Sequence, residues 1–296
     1  MKILTTGWQH HFVDTNNIRL HCVTQGQGEL VLLLHGFPEF WYSWRYQIPA
    51  LSRHFKVVVP DLRGYNDSDK PSHGYDLDTL GADIRGLIEG LGYARAHIVG
   101  HDLGGAIAWS LAQRFPQYLN RLAILNAAHP QRFLNELVSN IDQLRRSWYM
   151  LAFQVPGIPE WLIQQNLKDF VRNVFRGQAI RKGSFTAENA QVYQAALEKP
   201  GVLAAALNYY RQFLAPQSWL RNWLQRPAPV TVPTLILWGK EDSLLSQKLV
   251  DGIDQLISAP FQLKFIPRCG HWIQQEAPQT VNRELLDFLK GAGNGE

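Results

Sequence analysis

The segment that most restricts what this chain can become is His97 to Ala108, HIVGHDLGGAIA. A short apolar run, typical of a buried strand, leads directly into Gly100-His101-Asp102-Leu103-Gly104-Gly105, and small helix-compatible residues follow. Doubling the chain back so sharply leaves no room for a Cβ on either flank, which accounts for Gly100 and Gly104. Gly105, Ala106 and Ala108 would let the following helix lie close to a sheet. The turn should push the Asp102 side chain out at the carboxyl end of its strand, where open α/β sheets place ligands. An Asp before a helix is most often a simple N-cap. The strand before it and the glycines around it instead fit a nucleophile elbow that carries Asp in place of Ser.

The rest of the chain supplies a sheet for that turn. Apolar or alternating runs at Ile18–Val23, Leu30–Leu34, Lys56–Pro60, Leu122–Leu125, Thr234–Trp238 and Phe261–Ile266 read as strands. Between Asp76 and Gly92, Leu77, Leu80, Ile84, Leu87, Ile88 and Leu91 form one helical face, with Asp76 as N-cap and Gly92 as stop. A last helix follows Pro278. Strands alternating with helices imply an α/β protein with a mostly parallel sheet. From about Gln131 to Leu220 only helical periodicity is found, so 133–221 reads as a helical cap inserted between two parts of one core, 1–132 and 222–296. The net charge of +4 on 296 residues is mild and lacks a basic run, which argues against nucleic acid as a partner. No apolar stretch approaches the ~20 residues of a membrane span, and neither a membrane partner nor a targeting segment is expected. With only two cysteines, a cytoplasmic protein is expected, either monomer or homodimer.

The residue types suggest a chemistry. With an unperturbed pKa of about 3.9, Asp102 is already ionised near neutral pH. It can displace a leaving group from saturated carbon and so form a covalent ester. Hydrolysing the ester then requires an activated water. His271, in Arg268-Cys269-Gly270-His271-Trp272 after the last strand, is the candidate base. Asp242, or its neighbour Glu241, follows the preceding strand and would orient it. Asn126, after an earlier strand, carries no charge and is passed over as the acid. His101 reads as structural. No His/Cys/Asp cluster has metal-ligand spacing, and neither metal nor cofactor is expected.

His35-Gly36-Phe37-Pro38-Glu39 follows the LVLLL strand. The N–H groups of Phe37 and Leu103 would form an oxyanion hole, and a cis peptide before Pro38 would hold Phe37 in place. HGFPEFWYSWRYQIPAL (His35 to Leu51), DLRGY (Asp61 to Tyr65) and GHDLGG closely resemble the epoxide hydrolases of the α/β-hydrolase fold. The resemblance spans nearly the whole chain and is weakest in the helical insertion. It implies two tyrosines that hydrogen-bond an epoxide oxygen. They correspond to Tyr149, just before Phe153-Gln154-Val155-Pro156-Gly157, and Tyr210, in Leu207-Asn208-Tyr209-Tyr210-Arg211. It also implies a pocket touched by His35, Pro38, Trp41 and Trp272, and a small hydrophobic epoxide and water as reactants. There are two departures. Leu103 stands where the family usually has Trp, and Asn66 where Gly is usual. Hydrolytic dehalogenases share the Asp/His/acid machinery but need a side-chain N–H donor beside the nucleophile, which Leu103 lacks. A catalytically dead receptor would be expected to have lost part of the machinery, and none is missing.

Overall fold

The computed structural model describes residues 7–224 and 228–291. Residues 1–6, 225–227 beside the expected 221/222 boundary, and the tail 292–296 lie outside the described residues. Eight strands form one sheet: β1 (Gln9–Thr15), β2 (Ile18–Gln25), β3 (Leu30–Leu34), β4 (Lys56–Pro60), β5 (Ala96–His101), β6 (Leu119–Leu125), β7 (Thr234–Gly239) and β8 (Phe261–Ile266). Their order is β1-β2-β4-β3-β5-β6-β7-β8. β1 and β2 pair antiparallel, as do β2 and β4, and every other pair is parallel.

The central strands consist almost wholly of apolar residues because both sheet faces are covered. In β3, Leu30, Leu32 and Leu34 face one layer, while Val31 and Leu33 face the other. The first layer contains α2 (Leu77–Gly90) and α3 (Leu103–Arg114); the second contains α1 (Ile48–Leu51) and α13 (Pro278–Leu289). Asp76 caps α2 by accepting from the N–H groups of Asp78 and Thr79, and Gly92 ends it at φ +80°.

β1 is absent from the sequence reading. Its residues, QHHFVDT, are largely exposed and show no apolar alternation, as an edge strand allows. The usable signal was Asn16-Asn17. Both residues have positive φ (44° and 61°), as a tight hairpin turn between β1 and β2 requires.

Between β6 and β7 the chain is helical. It forms α4 (Pro130–Ser139), α5 (Ile141–Arg146), α6 (Trp148–Ala152), α7 (Ile158–Gln165), α8 (Leu167–Arg172), α9 (Ala187–Leu197), α10 (Val202–Phe213) and α11 (Pro216–Leu224). The short α12 (Ile273–Glu276) precedes α13. Strand order reverses between β3 and β5, so the loops leaving their carboxyl ends flank a crevice. Those loops begin with His35 and Asp102.

Candidate active site

Asp102 occupies the single residue between β5 and α3, with φ 51° and ψ −120°. This conformation costs a non-glycine residue about 1–3 kcal/mol and persists only when its surroundings impose it. The surroundings are closely packed backbone. A Cβ on Gly104 would run into the carbonyls of Leu34 and His35, and one on Gly36 into the Asp102 side chain itself. Gly104 is therefore required by the neighbouring strand β3 as well as by the turn. Ala106 N–H donates to the Asp102 carbonyl at 3.0 Å.

Phe37 N–H donates to Asp102 Oδ1 at 2.9 Å, and the peptide between Phe37 and Pro38 is cis. The Leu103 N–H makes no hydrogen bond to this carboxylate. Oδ2 lies 3.5 Å from His271 Nε2. On its other side, His271 Nδ1 donates to Asp242 Oδ2 at 2.8 Å. Asp242 is buried and fully engaged. Oδ1 accepts from the N–H groups of Leu244 (2.7 Å) and Leu245 (2.9 Å), and Oδ2 also accepts from Asn126 Nδ2 at 2.5 Å. Glu241 points elsewhere and accepts from Cys269 N–H at 3.0 Å. Asn126, passed over for lack of charge, thus supports the acid; its Oδ1 accepts from Gly239 N–H at 2.8 Å.

The electrostatics follow from this arrangement. Burial disfavours the charge on both carboxylates, but His271 outweighs it and holds Asp102 and Asp242 below the usual carboxylate range. His271 is the converse case. Burial alone would lower its pKa, yet the charge of Asp242 and the nearby Asp102 push it up to about 10.

A second layer fixes the histidine. Its carbonyl accepts from His101 Nε2 at 3.0 Å, and His101 Nδ1 meets Glu39 Oε2 at 2.8 Å. Glu39 is fully buried and also accepts from Gly36 N–H and from the amides of Gln274 and Gln275. This network joins the loop after β3 to the loop after β8.

Asp102 keeps 17% of its side-chain surface open, facing an apolar cavity of about 50 Å³ lined in part by Leu103, Phe133, Tyr149, Met150, Tyr210 and Phe213. Tyr149 and Tyr210 come from α6 and α10, and their rings meet edge to face at 5.9 Å. Burial first, then the Asp102 charge for Tyr149 and the neighbouring Tyr149 and Asp102 for Tyr210, raise both phenol pKa values, so both remain O–H donors. The two motifs carrying them are tied together: Arg211 donates to the carbonyls of Phe153 (2.9 Å) and Val155 (3.2 Å), and Gln154 donates to the Tyr210 carbonyl at 3.2 Å.

Four expected pocket residues are not among those lining this cavity. His35 is buried and saturated, donating from Nδ1 to the Gly36 carbonyl and accepting Leu62 N–H on Nε2. Trp272 is fully buried against His271 and Phe175. Trp41 packs on Trp8, His10, Phe40 and Tyr42. Pro38 is buried just after the cis bond. His35, Trp41 and Trp272 are thus held in core packing and hydrogen bonds rather than in the cavity wall. Phe133, Met150 and Phe213 line the cavity instead; nothing in their sequence context distinguished them from core residues.

Asn66 has φ 40° and donates to Asp61 Oδ2 at 2.8 Å. Asn tolerates this left-handed conformation better than other side chains, which accounts for Asn in place of Gly. Nearby, His21, Asp61 and Asp67 bring possible metal-ligand atoms within 4.8 Å, an approach that sequence spacing does not reveal. These groups are already engaged: His21 with Asp61 at 2.7 Å, and Asp67 with Lys199 at 2.6 Å.

The profile of the alpha/beta hydrolase fold family matches residues 29–278. Epoxide hydrolase 3 of Xenopus tropicalis is 38% identical over 292 residues, covering 95% of this chain and 78% of that protein. The chain belongs to the epoxide hydrolases of the α/β-hydrolase fold. The AB hydrolase superfamily protein YfhM of Bacillus subtilis is 39% identical, covering 96% of this chain and 99% of that one. Among solved structures, a Bacillus megaterium epoxide hydrolase in complex with an inhibitor superposes with TM-score 0.87 at 35% identity, covering 95% of this chain and 100% of the other. The protein is a hydrolase, and this epoxide-hydrolase family member has no described helix long and apolar enough to cross a membrane.

Proposed function

We propose that this hydrolase converts epoxides to vicinal diols through a covalent ester on Asp102. The observation that carries the proposal is one apolar cavity lined by a carboxylate at a strained turn and by two phenols that stay protonated, with a histidine, backed by a second carboxylate, 3.5 Å behind the first.

Tyr149 and Tyr210 donate hydrogen bonds to the epoxide oxygen and aim the ring at Asp102. Asp102 Oδ1 is held by Phe37 N–H, which leaves Oδ2 to attack carbon from the back side. The C–O bond of the ring breaks, and the alkoxide takes a proton from one of the two phenols that donate to it. Esterification removes one of the two negative charges that hold the proton on His271, favouring the neutral ring needed next. His271 Nε2 then takes a proton from water, which attacks the ester carbonyl. The N–H groups of Phe37 and Leu103 stabilise the oxyanion. His271 returns the proton to the departing diol oxygen; the second proton of the water, left on the Asp102 carboxyl, passes to the phenolate, and both Asp102 and the phenol are restored. Asp242 keeps the His271 proton on Nδ1 and stabilises the imidazolium. In this reading, residues 133–221 form the cap that supplies the phenols, and 1–132 with 222–296 form the core.

The test is to offer the purified protein an aromatic epoxide and, separately, a haloalkane. Formation of diol without halide release is the expected result. Halide release would favour dehalogenation, although Leu103 places no side-chain N–H donor in the cavity. Activity on neither substrate would indicate a non-catalytic scaffold.

A further inference from the structure

Of the fourteen exposed large apolar residues among the described residues, nine fall between Val138 and Leu162. Their arrangement is ordered. In the nearly unbroken helical run from α5 into α6, Ile141, Leu144, Trp148 and Leu151 recur at steps of three, four and three, the spacing of one helical face. That face points outward: Ile141 and Trp148 are each 66% exposed and Leu151 is 53% exposed, while Gln143, Ser147 and Met150 on the opposite face are buried. A surface helix normally has the reverse orientation. The pattern continues in α7, where Ile158, Trp161 and Leu162 are exposed. Exposed apolar residues clustered this densely along the chain mark an interaction site.

The charge around it identifies the partner. From 138 to 182 the sequence has seven basic and three acidic residues. The three acids are already paired: Asp142 with Arg146, Glu160 with Arg211 and Asp169 with Arg172. Lys168, Arg172 and Arg176 follow at steps of four along α8 and the turn after it, all exposed, on the helix next to α7. Apolar residues that include two indoles, bordered by a basic row, match the chemistry of an anionic lipid surface. There the indoles sit at headgroup level and cations meet phosphate. A second copy of this chain would bring two positively charged faces together. We infer that the α5–α7 face docks on the surface of an anionic phospholipid bilayer without crossing it.

The experiment is flotation of the whole protein with vesicles of phosphatidylcholine alone or mixed with phosphatidylserine in equal parts, at low and high salt. Two variants are compared with wild type: Ile141→Glu/Trp161→Glu and Lys168→Glu/Arg172→Glu/Arg176→Glu. Both leave the cavity residues in place, and unchanged thermal melting confirms that each variant folds. Wild type should float with the serine-containing vesicles, less so at high salt. The apolar variant should lose at least ~tenfold of that partitioning, and the charge variant should lose its salt-sensitive part. Absence of flotation, or equal flotation by wild type and the apolar variant, would overturn the inference. So would a wild-type dimer that the apolar variant converts to monomer in vesicle-free sedimentation, because a second copy would then be the occupant. Binding is read without turnover, so the result is independent of the proposed reaction.

Discussion

Replacing Asp242 with Asn tests how His271 is held. The four hydrogen bonds to Asp242 are shared evenly: Oδ1 takes the N–H groups of Leu244 and Leu245, and Oδ2 takes His271 Nδ1 and Asn126 Nδ2. Asn offers one oxygen. Turned toward Leu244 and Leu245, its NH2 group leaves two donors without an acceptor, a stability loss of roughly 2–6 kcal/mol at about 1–3 kcal/mol for each. Turned toward His271 and Asn126, it leaves the Asn126 amide unpaired, a loss of roughly 1–3 kcal/mol, because the histidine can accept in its other tautomer. If the NH2 faces His271, the ring must carry its proton on Nε2, where it can no longer take one from water. A misplaced tautomer of this kind costs a triad enzyme about 10⁴-fold in turnover. Ester formation depends on Asp102 and the two phenols and should survive. Rapid-quench mass spectrometry should therefore show the Asp242→Asn protein accumulating an ester on Asp102 while steady turnover falls about 10³- to 10⁴-fold. Glu241→Gln, one residue away, should turn over normally. An Asp242→Asn enzyme within about tenfold of wild type, with no accumulated ester, would refute the reasoning.

The phenols should affect the other half-reaction. Tyr149→Phe or Tyr210→Phe should each slow ester formation about 10²-fold, measured as the single-turnover burst, and leave the hydrolysis rate of ester already formed unchanged. Stability should also depend on pH through His271. Its pKa is raised to about 10 in the folded protein, against about 6.5 unfolded. The stabilisation is therefore fully present below about pH 6.5 and declines as pH rises toward 10. Urea unfolding from pH 6 to 10 should show this decline in wild type and its absence in His271→Gln. At the acid end, the depressed pKa values of Asp102 and Asp242 act in the opposite sense, and their stabilisation disappears as pH falls below the ordinary carboxylate range.

The chemistry-bearing residues were easier to locate from sequence than their supports. β3 and β7 are buried on both faces and so are written almost entirely in apolar letters, and β5 is apolar between its two histidines. Asp102, Asp242 and His271 each follow such a strand or its neighbour, and a parallel sheet brings those loops to one edge. The supports carry no comparable mark. Glu39 meets Gln274 and Gln275 across 235 and 236 positions, and Asn126 meets Asp242 across 116. Only folding brings these residues together. The cavity walls were hidden for another reason: Phe133, Met150 and Phe213 lie on amphipathic helices, where a residue lining a cavity and one filling a core look alike. β1 shows the limit of periodicity, because an edge strand with little to bury need not alternate.

The central claim is that Asp102 carries the substrate as an ester whose carbonyl is attacked by water. One turnover in oxygen-18 water, with enzyme in excess over epoxide, tests this claim most directly. The mechanism predicts heavy oxygen in the peptide containing Asp102 and none in the diol released. Heavy oxygen in the diol alone would mean that water had opened the ring directly, and the covalent route would be wrong.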